Sequence, residues 1–219
     1  SDQAHSSVPK GALLTGFGKD NLRLVETDEA FAMRMDKLRE AVKRDIAEGR
    51  KPCMIVAAVG TTGSTAIDPV REIAELCQKH GIWLHVDAAM AGSAMILPEY
   101  RYLWDGVEHA DSVVINPHKW LGMAMDLSAY FVREPEHLIR AMSTNPSYLM
   151  SGAEARNYKD WGIPLGRRFR SLKIWFALKD QGVEGLQARL RRDIENAKWL
   201  EAQVRATPGW KVLAPVPLP

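Results

Sequence analysis

The strongest constraint on the fold is an alternation of short, almost uninterrupted apolar segments with amphipathic helical ones. C-M-I-V-A-A-V (53–59) is too short for a core helix and is bounded by turn residues, which predicts a strand buried on both faces. It stops at G-T-T-G-S-T. Asp68 is then placed to cap, and Pro69 to start, the helix P-V-R-E-I-A-E-L-C-Q-K-H, which Gly81 closes. I-W-L-H-V-D (82–87) supplies the next strand, and D-S-V-V-I (111–115) follows after a connection through residues 88–110. L-S-A-Y-F-V (127–132) lies close enough behind its predecessor to pair antiparallel with it. Such an order indicates an α/β fold, a mainly parallel sheet with helices on both faces.

Phe31, Met33, Leu38, Val42 and Ile46 recur with helical spacing, predicting a helix over 31–48 that Gly49 ends. The pattern turns helical again from Ser171 to about Arg205, interrupted by Gly182 and Gly185. Residues 145–160 carry no sustained apolar period and read as a loop, and the tail A-P-V-P-L-P reads as extended chain. The 219 residues are 46% hydrophobic and 26% charged, which fits one globular domain and argues against disorder. A net charge of +2 is too small an electrostatic footprint for nucleic acid. R-L-R-R (189–192) shares its helix with Asp193 and Glu195 and reads as a solvated mixed-charge face. No apolar run approaches the roughly 20 residues of a membrane span, and S-D-Q-A-H-S-S is not a signal peptide. Cys53 and Cys77, in a predicted strand and a predicted helix, read as buried thiols of a reducing compartment, so a cytoplasmic location is expected.

In open α/β sheets, ligands bind outside the C-terminal ends of the strands. The first predicted strand runs into Thr61 and Thr62, the second ends at Asp87, and the third runs into N-P-H-K-W. Pro117 stops that strand, leaving Asn116, His118 and Lys119 at its end. Parallel neighbours would bring these groups to one place, and the small residues Ala88, Ala89, Ala91 and Gly92 would leave room for a flat ring. A lysine and a carboxylate so placed suit pyridoxal phosphate, which needs an amine for its Schiff base and an acidic partner for its pyridinium nitrogen. Singly, the lysine could be a solvated surface cation and the aspartate a turn residue.

S-D-Q-A-H-S-S, G-T-T, W-L-H-V-D-A-A-M-A-G-S-A, N-P-H-K-W and I-P-L-G-R-R-F-R-S-L-K occur in that order along nearly the whole chain. Together they resemble the group II pyridoxal-phosphate-dependent decarboxylases, particularly those acting on aromatic L-amino acids. The resemblance implies the large domain of a fold type I transferase, with pyridoxal 5'-phosphate as cofactor and no metal. It implies that Lys119 forms the Schiff base, that Asp87 pairs with the ring nitrogen, and that Ala89 lies against the ring. His5 would stack on the ring near the substrate carboxylate, Thr62 would stand near the ring substituents, and Asn116 and His118 would occupy phosphate-side and lysine-adjacent positions. Tyr148 matches the tyrosine of a catalytic loop that closes on the partner subunit's site and protonates the α-carbon after carbon dioxide leaves. Retention of His5 and Tyr148 favours simple decarboxylation over aldehyde formation. Arg167, Arg168 and Arg170 would make ion pairs at the loop base and dimer interface.

Departures from the family pattern bear on the substrate. Met90 and Met125 stand where many aromatic decarboxylases carry aromatic residues, which keeps open a non-aromatic substrate such as glutamate or diaminobutyrate. By the resemblance, residues 1–205 are part of the cofactor-binding large domain without its upstream phosphate-gripping segment, and residues 206–219 begin a link to a small domain. A catalytically silent piece that needs a partner chain is the remaining alternative, and the complete enzyme is expected to be a homodimer.

Overall fold

A computed structural model of the chain describes residues 1–144 and 157–219. Five α-helices are present among them: α1 (Ser7–Leu14), α2 (Met35–Ala47), α3 (Val70–His80), α4 (Pro135–Met142) and α5 (Ser171–Ala206). Four strands, β1 (Met54–Ala58), β2 (Trp83–Asp87), β3 (Ser112–Ile115) and β4 (Ala129–Val132), form one sheet in the order β1-β2-β3-β4. The first three are parallel and β4 is antiparallel to β3, as the short link between their sequences predicts. Ala58, Asp87 and Val114 stand level across the parallel strands, so these strands reach their carboxyl ends together.

The alternation W-L-H-V-D explains the layering. Leu84 and Val86 are fully buried in a core that also gathers Leu38 and Val42 of α2, Ile73 and Cys77 of α3, and Leu190 and Ile194 of α5. Trp83, His85 and Asp87 point to the opposite face and are half-buried. There α4 sets His137 edge-on to Trp83, with ring centroids 6.0 Å apart. Helix α3 ends where Gly81 adopts the left-handed conformation (φ 63°) that a C-terminal cap requires. Helix α5 breaks at Gly182 (φ 66°, ψ 172°), while Gly185 stays helical. Beyond α5, Leu218 returns to the common core. Among the described residues no helix is long and apolar enough to cross a membrane.

Three local expectations are corrected. Helix α2 begins at Met35 instead of residue 31, because Thr27 and Met33 form an antiparallel bridge and Asp28 accepts the amides of Ala30 and Ala32. Phe31 is thereby turned into a positive-φ position (61°) outside any helix. Asp68 caps nothing: its two carboxylate oxygens accept the amides of Met33 (2.8 Å) and Ala58 (2.7 Å), tying that hairpin to β1. Cys77 is buried, and burial pushes its thiol up to about 12, but Cys53 precedes β1 and is exposed.

Candidate active site

The level ends of β1, β2 and β3 set the frame. With strands about 4.8 Å apart, residues following the three ends share a strip about 10 Å wide. The ladder continues past the strands: the amide of Val59 donates to Asp87, that of Ala88 to Val114, and that of Asn116 to Ala89, each at 2.9–3.0 Å. Asp87, Ala89, Asn116, His118 and Lys119 are thus brought to one edge. The carboxylate of Asp87 accepts the Ala89 amide at 3.1 Å, holding the backbone just after β2.

After β3, two interlocked turns present the lysine. The amide of Lys119 donates to Asn116 at 2.9 Å, and that of Gly122 donates back to Lys119 at 3.0 Å. The Lys119 side chain is exposed and lines a shallow depression with Met90, Trp120, Asp193 and Pro219. No hydrogen bond or ion pair joins it to Asp87 among the described residues. His118 does not point at a ligand through Nδ1, which lies 2.5 Å from the Leu127 carbonyl and 3.0 Å from the Leu127 amide, closing the loop onto itself. The oxygen Oδ1 of Asn116 is buried with no partner among the described residues, an uncompensated acceptor at the site's edge.

On the loop after β1 the two threonines divide. Thr61 is buried, pairing with Ser64 (2.8 Å) and accepting the Ala66 amide (3.0 Å), whereas Thr62 is exposed. The expected room beside the ring narrows to Ala89, which is half-buried. Ala88 and Ala91 are fully buried, and a Cβ added to Gly92 would lie 2.6 Å from Ile115. These small residues let the connection pack on the sheet. Gly60 (φ 81°) serves the same closeness, since a Cβ there would stand 2.5 Å from that of Ala91. His5 precedes α1 with Nδ1 2.9 Å from Ser7 Oγ, and its hydrogen bonds are local. Its neighbours Ala4 and Val8 share a cavity of about 560 Å³ with Met54 and Val56 on the β1 flank. Tyr148 lies outside the described residues.

Several contributors are not evident from motif reading. His85, on the same face as Asp87 two residues on, is stacked with Tyr130 (6.1 Å, 28°), and burial pushes its imidazole below the ordinary value against the opposing pull of Asp87. The hydroxyl of Ser112 accepts the indole N–H of Trp83 (2.9 Å) and lies 2.8 Å from His85 Nδ1, to which it can donate when the ring is neutral. The period-two pattern that marks β2 was the available signal. The start of α5 grips the far end of the lysine loop. Arg170 pairs with Asp126 at 2.7 Å and holds its carboxyl down to about 2, and Lys173 donates to the carbonyls of Ala124 and Met125. Among the described residues, Arg167 reaches the Tyr158 carbonyl, at 3.5 Å. Arg189 is no part of a solvated face: it turns inward to the carbonyls of Trp120 and Leu121.

Residues 1–219 match the family profile described as the pyridoxal-dependent decarboxylase conserved domain. The chain is 45% identical over 222 residues to aromatic-L-amino-acid decarboxylase of Cavia porcellus, covering 100% of this chain and 46% of that protein. It is 45% identical to phenylacetaldehyde synthase of Arabidopsis thaliana, over 98% of this chain and 45% of the relative. The crystal structure of Oryza sativa TDC with PLP and tryptamine has the same fold, with a TM-score of 0.96 at 39% identity, over 99% of this chain and 46% of that one. The chain therefore spans a little under half the length of these relatives. A profile match running from the first residue to the last, on a fold superposable with that of a solved relative, assigns the chain to the pyridoxal-dependent decarboxylase family.

Proposed function

We propose that these residues form the lysine-bearing part of an enzyme that decarboxylates an aromatic L-amino acid to its amine and carbon dioxide, using pyridoxal 5'-phosphate. The observation that carries this reading is the gathering of Asp87, Asn116 and Lys119 at the level ends of adjacent parallel strands, in a chain of this family. The residues present fit the cofactor: an amine and a carboxylate share the edge, and the buried, unpartnered Asn116 Oδ1 suits a polar ligand there. When bound, the cofactor supplies a ring that withdraws the electron pair left on the α-carbon as the carboxylate departs.

Lys119 would hold the cofactor through Nζ, and Asp87 would keep a proton on the ring nitrogen by the negative charge of its carboxylate. Ala89 would leave space for the ring, and Thr62 and Asn116 would offer polar contacts at its margin. His118, tied to Leu127, fixes the loop that carries the lysine. His5 would stack on the ring near the substrate carboxylate, and Tyr148 would deliver a proton to the α-carbon. The aromatic substrate class is supported by the aromatic decarboxylase among the relatives. The reading extends to a cytoplasmic homodimer. Two cysteines without a disulfide suit a reducing compartment, and exposed Ile163, Phe169, Trp175 and Phe176 offer apolar area for a second subunit to cover.

The test is to incubate the protein with pyridoxal phosphate, reduce with borohydride and map the labelled peptide. Label on Lys119, lost in Lys119→Ala together with carbon dioxide release, is expected; label scattered over other lysines would sink the assignment. Similarity to phenylacetaldehyde synthase makes aldehyde formation the second reading. Because His5 and Tyr148 are both retained, amine is the expected product from a panel of amino acids, and an aldehyde in its place would overturn that choice.

A further inference from the structure

Two side chains one helical turn apart on α5 reach the residues immediately after Lys119. Arg189 donates from Nη1 to the Trp120 carbonyl (3.2 Å) and from Nη2 to the Leu121 carbonyl (2.7 Å). Asp193 accepts the indole N–H of Trp120 at 3.1 Å. The guanidinium makes no ion pair among the described residues, and its Nε is buried without a partner there, so its fork is committed to the loop backbone. Gly122 (φ 72°) completes the fit, since a Cβ at that position would lie 2.7 Å from Arg189 Nη1. The helix behind this contact is immobilised by Leu186, Leu190 and Ile194, all buried.

We propose that Arg189 and Asp193 are positioning residues that set where the Lys119 amine stands, acting on the Trp120–Leu121 backbone and the Trp120 ring. The inference rests on the reading of Lys119 as the cofactor-bearing lysine. Lys119 has a long side chain whose head follows the placement of its Cα. A planar fork holding two successive carbonyls fixes the orientation of both peptide planes, which a single point charge does not. The indole held by Asp193 blocks rotation of the residue next to the lysine. A reactive group misplaced by about 1 Å loses on the order of a hundredfold in rate, so a clamp on adjacent residues bears directly on chemistry.

The experiment compares unaltered, Arg189→Lys, Arg189→Leu, Trp120→Phe, Asp193→Leu and Asp193→Asn proteins in the pyridoxal-phosphate-loaded state. Four quantities are read: thermal midpoint, Lys119 labelling on borohydride reduction, the circular dichroism of the bound cofactor, and kcat and KM separately. R189K keeps the charge and loses the fork. It is expected to retain the thermal midpoint and KM, to weaken the cofactor's dichroic band, and to lower kcat about tenfold or more. W120F keeps the ring, loses the N–H and should change the same signals in the same direction. D193N, whose amide oxygen still accepts the indole, should recover what D193L loses. Should R189L fail to fold, R189K and W120F carry the decision. Wild-type dichroism and kcat in folded R189K and W120F would overturn the positioning role, as would losses that only track the folded fraction. Labelling of the unaltered protein away from Lys119 would overturn the function proposed above, and the role of the clamp with it.

Discussion

Replacing Asp68 by alanine is expected to destabilise the protein more than any surface change. Its carboxylate is buried and accepts two backbone amides from segments far apart in sequence, Met33 at 2.8 Å and Ala58 at 2.7 Å. Alanine leaves both amides without an acceptor, at about 1–3 kcal/mol each. Against this stands relief from burying a carboxylate, whose pKa is raised from 3.8 chiefly by desolvation. The net expectation is a loss of about 2–4 kcal/mol, a fall of about 1–2 M in the urea midpoint with the slope unchanged. Asp68→Asn should lie between the two, because its oxygen serves one amide while its NH2 group opposes the other. Tryptophan fluorescence during urea unfolding measures all three. The pH dependence has a defined sign. A raised folded pKa gives stability that is complete below about 3.8 and is lost as pH rises through the folded value. The advantage of the native protein over D68N should therefore shrink as pH rises above the ordinary 3.8. An alanine variant within about 0.5 kcal/mol of the native protein, or an advantage over D68N that grows over that range, would refute the reasoning.

His85 carries the opposite pH signature. Its folded pKa lies below the ordinary 6.5 because burial disfavours the imidazolium, so its contribution is complete above 6.5 and is lost as pH falls through the folded value. Proton NMR of the His85 ring should give a midpoint below that of His85 in the urea-unfolded chain; a midpoint at or above it would contradict the burial. The two cysteines should separate in a thiol-labelling time course. Exposed Cys53 reacts with iodoacetamide at once, while Cys77, with its thiol pushed up to about 12, reacts only on unfolding. Equal rates in the folded protein would be inconsistent with the packing of α3.

The legible parts of the fold were those set by local chemistry. Runs such as M-I-V-A-A and W-L-H-V-D mark strands, although Met54 is exposed and the Trp83 face of β2 is only half-buried, and parallel pairing then lines up Asp87 and the Asn116–Lys119 loop. What escaped was decided by partners distant in sequence. Phe31 stands seven residues, two helical turns, before Leu38, but Asp68 recruits the Met33 amide into a hairpin. Arg189 looks solvated within its own helix, yet the open carbonyls of Trp120 and Leu121 draw it inward. Small residues can make room for a ligand or for the protein itself, and only packing distinguishes Ala89 from Ala88 and Gly92.

The antiparallel direction of β4 has a consequence for where chemistry can be hosted. A parallel successor to β3 would need a crossover that carries the chain to the opposite end of the sheet, usually through a helix. Here residues 116–128 only have to double back, so the link from Asn116 to Ser128 returns at the carboxyl end of the parallel strands. Its anchors are correspondingly mixed: His118 ties it to itself, and the two halves of α5 on either side of Gly182 hold it from outside. Lengthening this link enough to let it wander would free the backbone of Lys119 while leaving the sheet intact. The reversal of one edge strand is thus what keeps a flexible lysine on a short leash.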